Sequence, residues 1–289
     1  MTDEKWIIKP GETRVIDLDG IHELKIGLVR GQVDVVAHDD PHVRVEVHSV
    51  SGKDLRIERT GGKLDVDHPQ LKFGNFIEMF KNMTNGGPSA EVSIAVPRGV
   101  ELNLGVVSAS ALVSGLAARA RMNTVSGDLL VDELVGDLAV NTVSGDVQVR
   151  SLAGPMTGNT VSGDISVTGR ISRASIDSVS GSIYIDAQGE INRAAVNTVS
   201  GDVTVRLDDD YAANYVLRSA SGKIKLDGTP YSTSGPTNYT GSRGELAGRF
   251  VDANVNTVSG DITVLRRGES AGDADAQVEW PGQAEGSAA

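Results

Sequence analysis

The residues of this chain that could do chemistry recur at a constant spacing. The phrase Thr-Val-Ser-Gly-Asp occurs five times, and its first three copies place Asp128, Asp146 and Asp164 at equal intervals. If successive copies stack, these carboxylates lie one strand spacing apart, roughly 4.8 Å. Calcium binds rows of oxygen atoms, but it takes about six to eight of them and each copy offers one carboxylate. We therefore interpret the aspartates as turn residues that bond their own backbone, with a calcium ladder as the weaker alternative.

The sequence shows no catalytic combination. All five histidines lie before residue 70, so no histidine stands near the repeated serines to act as their base. His38 and His42 flank an Asp-Asp-Pro turn, which is typical of solvated side chains rather than of a metal site. Nucleophile-elbow, phosphate-loop and zinc-protease motifs are missing from the sequence. We expect a protein that is not an enzyme and needs no cofactor. A polysaccharide-binding or carbohydrate-active β-helix is the alternative, because the aspartates lie on the same units as Arg150 and Arg170.

The repeat indicates how these residues are positioned. Serines 108, 126, 144, 162 and 180 follow one another at equal steps, and the later steps are longer. A period of about 18 residues is typical of stacked structural units that mainly contact their neighbours. We predict an all-β fold, a single-chain parallel β-solenoid with coils of about 18 to 21 residues, and a right-handed β-helix by the crossover rule. A left-handed hexapeptide helix is disfavoured, because steps of six from Leu134 reach Val140 and then Asp146.

One unit, Leu138–Met156, shows how a coil closes. Apolar residues change parity at Gly145 and Asp146, which predicts a corner there with glycine in a positive-φ conformation. We expect Thr142 and Ser144 to point inward, with hydroxyls bonding along the stack. The aliphatic side chains expected in the core are Val140, Val147, Val149, Leu152 and Met156.

If the threonine and serine face inward, neighbouring side chains must face outward and form a flat partner-binding surface. The opposite parity, with the valines in the core, stays open.

Three phenylalanines at helical spacing lie in the segment 71–89 and suggest a short apolar helix or loop near 71–85 that covers a strand edge. The candidate binding residues are Val125, Val143, Val161, Val179, Val199, Asn123, Asn141, Asn159, Phe76 and Phe80.

Composition and length fix the wider organisation. We divide the chain into residues 1–95, strands and the start of the solenoid; 96–267, regular repeats; and 268–289, an acidic disordered tail. Asp227–Arg243 is expected to form a protruding loop.

The net charge of −12 argues against nucleic acid as a binding partner, so we expect a protein partner or self-association. Membrane contact is expected only through 71–85. No apolar leader and no apolar run long enough to cross a bilayer occurs, which predicts a cytoplasmic protein, with surface association as the alternative.

The run Val-Pro-Arg-Gly at 96–99, followed by recurring Thr-Val-Ser-Gly-Asp, resembles the bacterial β-strand-repeat family of candidate adhesins known as DUF4097. The resemblance covers about residues 25–267. It implies a β-solenoid without catalytic residues, and it associates the chain with cell-envelope stress systems, membrane-anchored regulators or adhesion.

Overall fold

The computed structural model describes residues 3–68, 87–231, 235–246 and 249–267. Every regular element in those ranges is a β-strand, so the all-β prediction is confirmed. The segment near 71–85 with Phe76 and Phe80, and the tail 268–289, lie outside the described residues. The strands are β1 Glu4–Ile8, β2 Arg14–Asp19, β3 Glu23–His38, β4 His42–Ser51, β5 Leu55–Thr60, β6 Lys63–Asp67, β7 Ser89–Pro97, β8 Glu101–Ser114, β9 Ala120–Thr124, β10 Leu129–Asp132, β11 Leu138–Thr142, β12 Val147–Thr160, β13 Ile165–Ser178, β14 Ile183–Ala187, β15 Arg193–Thr198, β16 Val203–Asp208, β17 Ala212–Ser219, β18 Ile224–Leu226, β19 Thr229–Tyr231, β20 Thr237–Arg243, β21 Phe250–Thr257 and β22 Ile262–Arg267.

The central repeats form closed coils that stack in parallel. Leu138 of β11 pairs with Met156 of β12, one repeat later, and so begins the next coil. Across the corner, Val147 of β12 pairs with Ile165 of β13, which is again the equivalent residue of the following repeat. Each coil therefore contributes to two parallel ladders, one before the Ser-Gly-Asp corner and one after it. The fold is β-solenoid-like, and the repeat sets its register.

Side chains directed inward from both ladders form one hydrophobic core along the stack. The period-two alternation of strands explains this, because every second side chain of a short strand faces the interior. The five aliphatic residues expected in the core of the model unit are all buried, at 2% exposure or less. Each such side chain contributes about 1.5–3 kcal/mol of burial free energy.

The two ends depart from sequential parallel stacking. At the N-terminal end, β3 pairs in parallel with β6 and β7 on one side and with β8 on the other, so an early strand lies inside the stack. Antiparallel strands β4 and β5 then cover β7 and β6, and β2 and β1 lie beyond them. The boundary predicted between residues 95 and 96 falls within β7.

At the C-terminal end, the last coil in sequence is not the last in space. Strands β21 and β22 lie between β15 and β16 on one side and β17 and β18 on the other. Antiparallel β20 pairs with β17, and β19 pairs with β18. The prediction of a protruding loop at Asp227–Arg243 is therefore wrong where β19 and β20 form, because these segments cover the terminal strands.

Candidate interaction surface

A threonine clamp holds each Ser-Gly-Asp corner, the turn that joins the two ladders. The Thr142 hydroxyl donates to the Gly145 carbonyl at 2.9 Å, and the Gly145 N–H donates back to the same hydroxyl at 3.1 Å. Thr142 is buried, as predicted, but its hydroxyl bonds within its own turn rather than along the stack. Ser144 is exposed, so its predicted inward orientation is wrong, although its hydroxyl does bond the previous coil, at Val125 O.

Glycine is required in this corner because the backbones of successive coils approach closely. A Cβ on Gly145 would lie 2.1 Å from the carbonyl oxygen of Gly127, and the same distance separates a Cβ on Gly163 from Gly145 O. Neither Gly145 nor Gly163 is among the positive-φ residues. The predicted conformational role of the glycine is therefore wrong, and its small size is what the stack uses.

The aspartates link successive coils through their carboxylates. Asp146 N–H donates to Asp128 Oδ1 at 3.1 Å, and Asp164 N–H donates to Asp146 Oδ1 at 3.0 Å. Ser182, which replaces aspartate in the next coil, donates its N–H to Asp164 Oδ1 at 2.7 Å. Each side chain thus bonds the equivalent backbone position one coil on, instead of its own turn as predicted.

The carboxylates of the predicted calcium ladder already have backbone partners. One oxygen of each of Asp128, Asp146 and Asp164 already accepts a backbone N–H. Over the described ranges, no three His, Cys, Asp or Glu side chains form a group that could hold a metal ion. The hydrogen bonds give the aspartates a structural role, because each one ties its coil to the next.

Beside five of the corners a valine side chain points into solvent. Val143 is 43% exposed, and the four that follow in the stack are 47–51% exposed. Val125 differs, since it is 6% exposed and packs with Val29 and Val107 in a small separate cluster. That cluster leaves no signal in the sequence, because Val29 lies outside the regular repeat. We call the exposed set the valine row: Val143, Val161, Val179, Val199 and Val258.

Asparagines next to the valines form a ladder of side-chain amides. Asn141 Nδ2 donates to Asn123 Oδ1 at 2.9 Å, and Asn159 Nδ2 donates to Asn141 Oδ1 at 2.8 Å. Farther along, Asn256 donates to Asn197 at 2.9 Å. Because neighbouring amides bind one another, this part of the surface is held in a fixed conformation.

A shallow groove lies on the other side of the aspartates, over the second ladder. Its volume is about 520 Å³, and Asp128, Asp146 and Asp164 form one wall. Leu112 and Leu130 provide an apolar part of its lining. The corner thus has an amide ladder and an apolar row on one side of the carboxylates, and a groove on the other.

The histidines lie away from this corner. His42 contacts Asp19 through Nδ1, and this hydrogen bond raises the pKa of the exposed imidazole. His68 is buried, and burial lowers its pKa below the ordinary value.

Sequence reasoning missed one buried charged residue, Arg266, whose side chain is 4% exposed and bonds Tyr215 Oη at 2.9 Å. In the sequence, only the adjacent pair Arg266-Arg267 at the end of β22 could have drawn attention to this residue.

A family model described as Toastrack DUF4097 matches residues 21–265. The chain belongs to the Toastrack DUF4097 family. The resemblance seen in the repeated phrase is therefore confirmed, and the match to the Toastrack family includes most of the described residues. No curated protein matches the chain.

Two solved structures are similar to the chain over most of its length. One is a candidate cell adhesion protein from Clostridium sporogenes, with 12% identity over 90% of this chain and 100% of that chain and a TM-score of 0.31. The other is a candidate lipid-binding protein from Parabacteroides distasonis, with 16% identity over 89% of this chain and 98% of that chain and a TM-score of 0.48. In the Toastrack chain itself, none of the described residues forms a helix that could cross a membrane.

Proposed function

We propose that this Toastrack protein is a non-enzymatic scaffold whose Ser-Gly-Asp corner docks a protein partner. The observation that carries the proposal is the valine row, five half-exposed valines in register at consecutive corners. The proposal includes a right-handed coil, supported by the general preference of parallel crossovers. It also includes a link to cell-envelope stress or adhesion contacts, supported by the family resemblance.

The valines are the members of the phrase that the corner does not need for folding. Threonine clamps the turn, glycine permits the close approach, and serine and aspartate bond the neighbouring coil. Threonine has the same β-branched shape as valine and would suit an exposed strand end without exposing apolar surface. Repeated apolar side chains in solvent, on a surface held rigid by hydrogen bonds, are what a binding surface requires.

Val143→Lys with Val179→Lys tests this proposal. These positions are two coils apart, so the new lysines do not stack on each other. The matched control is Val15→Lys with Val135→Lys, since those valines are 52% and 56% exposed but lie away from the row. We expect proteins captured from native lysate by the wild type and the control to be lost from the Val143/Val179 variant, with its urea midpoint unchanged. Equal capture by both double variants would refute the proposal.

The groove beside the aspartates favours a second candidate function, polysaccharide binding. It presents carboxylates together with the amides of Gln32 and Gln148 from different coils, and such groups hydrogen-bond sugar hydroxyls. A glycan array probed with the wild type and with Gln148→Ala tests it. Binding that the substitution weakens would support a saccharide site, and an array without signal would eliminate it.

A further inference from the structure

The corner presents an apolar row and an acidic row that run in parallel, and their combination defines a kind of partner. Four of the five valines of the valine row are followed three positions later by an aspartate, namely Asp146, Asp164, Asp202 and Asp261. Val179 is followed instead by Ser182. From this pairing we infer that the corner binds a basic amphipathic α-helix laid along the stack, with its apolar side on the valines and its cations on the aspartates. The inference rests on the proposed function and specifies its partner.

The spacing of the rows fits a helix. Ser162 N–H bonds Val143 O and Ser180 N–H bonds Val161 O, each at 2.8–2.9 Å, so consecutive valines lie one strand spacing apart. That spacing of about 4.8 Å is close to the helix pitch of about 5.4 Å, so one apolar residue per turn meets each valine. The four steps from Val143 to Val258 cover about 19 Å, the length of about 13 helical residues. The accumulated mismatch is about 2.4 Å, which flexible side chains absorb.

The lateral dimensions fit as well. Each aspartate lies three positions after its valine, and an extended chain of three steps reaches at most about 11 Å. A helix with its side chains is about 10–12 Å wide, so one helix contacts both rows. Recognition of basic amphipathic helices through apolar anchors and acidic flanks is a recurring mode of peptide binding.

Charge distinguishes this occupant from a second copy of the chain. The protein carries a net charge of −12, and both partners in a corner-to-corner dimer would bring aspartates to the contact. Like charges at close range repel, and the valine row alone is much smaller than the roughly 800 Å² per partner of a stable interface. A cationic helix gains attraction from the aspartates and adds its own flanking contacts.

The probe is a synthetic 16-residue helical peptide with one leucine per turn and lysines beside the leucines, labelled for fluorescence anisotropy. A peptide with glutamates in place of the lysines and a scrambled peptide are the controls. We expect binding of the lysine peptide only, weakened at least about tenfold by Val143→Lys with Val179→Lys and much less by Val15→Lys with Val135→Lys. Raising the salt concentration should weaken it further, because the charge contacts are exposed.

The double variant Asp146→Asn with Asp164→Asn tests how much the aspartate charges contribute to peptide binding. Asparagine keeps the oxygen that accepts the backbone N–H of the next coil, so the stack is preserved. We expect a threefold to tenfold loss of affinity, whereas Asp17→Asn with Asp40→Asn, which removes the same charge elsewhere, leaves it unchanged. Equal binding of the lysine and glutamate peptides would overturn the basic helix while keeping the apolar docking surface. Concentration-dependent dimerisation that the valine variant abolishes, without peptide binding, would instead identify a second copy as the occupant.

Discussion

A Cβ atom on Gly163 would lie 2.1 Å from the carbonyl oxygen of Gly145 in the neighbouring coil. Real Cβ atoms do not approach other heavy atoms so closely, and the obstacle is backbone rather than a movable side chain. The distance between adjacent coils at the corner is therefore set by glycine stacked on glycine, and every contact of the exposed surface depends on that spacing.

Gly163→Ala is expected to destabilise the protein by about 2–4 kcal/mol, because the added methyl forces two paired backbones apart. The free energy of unfolding from urea titration measures this loss. Gly99→Ala is the control, since a Cβ there meets nothing within 4 Å. We expect Gly99→Ala to change stability by less than about 0.5 kcal/mol. Similar losses at both positions would show that close approach is not what selects glycine.

Thr142→Val should cost about 1–3 kcal/mol, because it keeps the side-chain shape but leaves the Gly145 N–H and C=O without their partner. Thr142→Ser keeps the hydroxyl and should lose less. The chain already contains this alternative, since Ser178 accepts the Gly181 N–H at 2.9 Å and donates to Gly181 O at 3.2 Å. The urea midpoints of the two variants measure these losses. An equal loss of stability in both would contradict the role of the threonine hydroxyl in holding the corner.

Sequence alone predicts the central stack because the period sets the register. A strand that recurs once per repeat pairs Leu129 with Val147 and Val147 with Ile165. Alternation within each strand then assigns the core. The rule fails inside the corner, where the backbone turns and parity is lost. For that reason the threonine was placed correctly and the serine was not.

The order of the last coils could not be predicted from the sequence. The repeated phrase allows any two coils to stack, so it does not indicate which coils are neighbours. Thr198 and Ser219 both pair with Thr257, so either neighbour satisfies the local pattern. Long-range contacts settle the order instead. Arg266 of β22 donates to Tyr211 O at 2.7 Å, and Arg267 donates to Asp208 at 2.7 Å. Such contacts carry no periodic signal in the sequence.

Arg266→Ala should therefore loosen the C-terminal coils. Its buried guanidinium bonds Tyr215 Oη and the backbone carbonyls of Asp208, Asp209 and Tyr211, and the substitution removes the donor from these acceptors. We expect a loss of about 3 kcal/mol and faster hydrogen exchange in β17. Arg249→Ala is the control, since Arg249 is 81% exposed in its pair with Glu190 and such pairs contribute little. Unchanged exchange in β17 would count against an anchoring role for Arg266.

His68 should make stability depend on pH. Burial is the main cause that lowers its pKa, and the hydrogen bond of Nδ1 to the Asp54 carbonyl at 3.1 Å opposes it only in part. Lys53 and Asp67 are the charged groups that act on it, and no group among the described residues bonds its Nε2. The unfolded chain takes up a proton near pH 6.5, whereas the folded protein does so only at lower pH. The stability that the neutral His68 contributes is thus fully present above pH 6.5. It is lost as the pH falls through the folded pKa of His68.

Replacing the imidazole with a group that does not titrate tests this assignment. His68→Asn keeps a donor for the Asp54 carbonyl, so it should flatten the decline in urea midpoint as the pH falls below about 6.5. His42→Asn should not flatten that decline, because the hydrogen bond to Asp19 raises the pKa of His42. The stability from His42 is present below pH 6.5 and is lost as the pH rises through its folded pKa. An NMR titration that gives folded His68 a pKa at or above 6.5 would overturn the argument, because burial, which disfavours the charged imidazolium, would then not be the dominant cause.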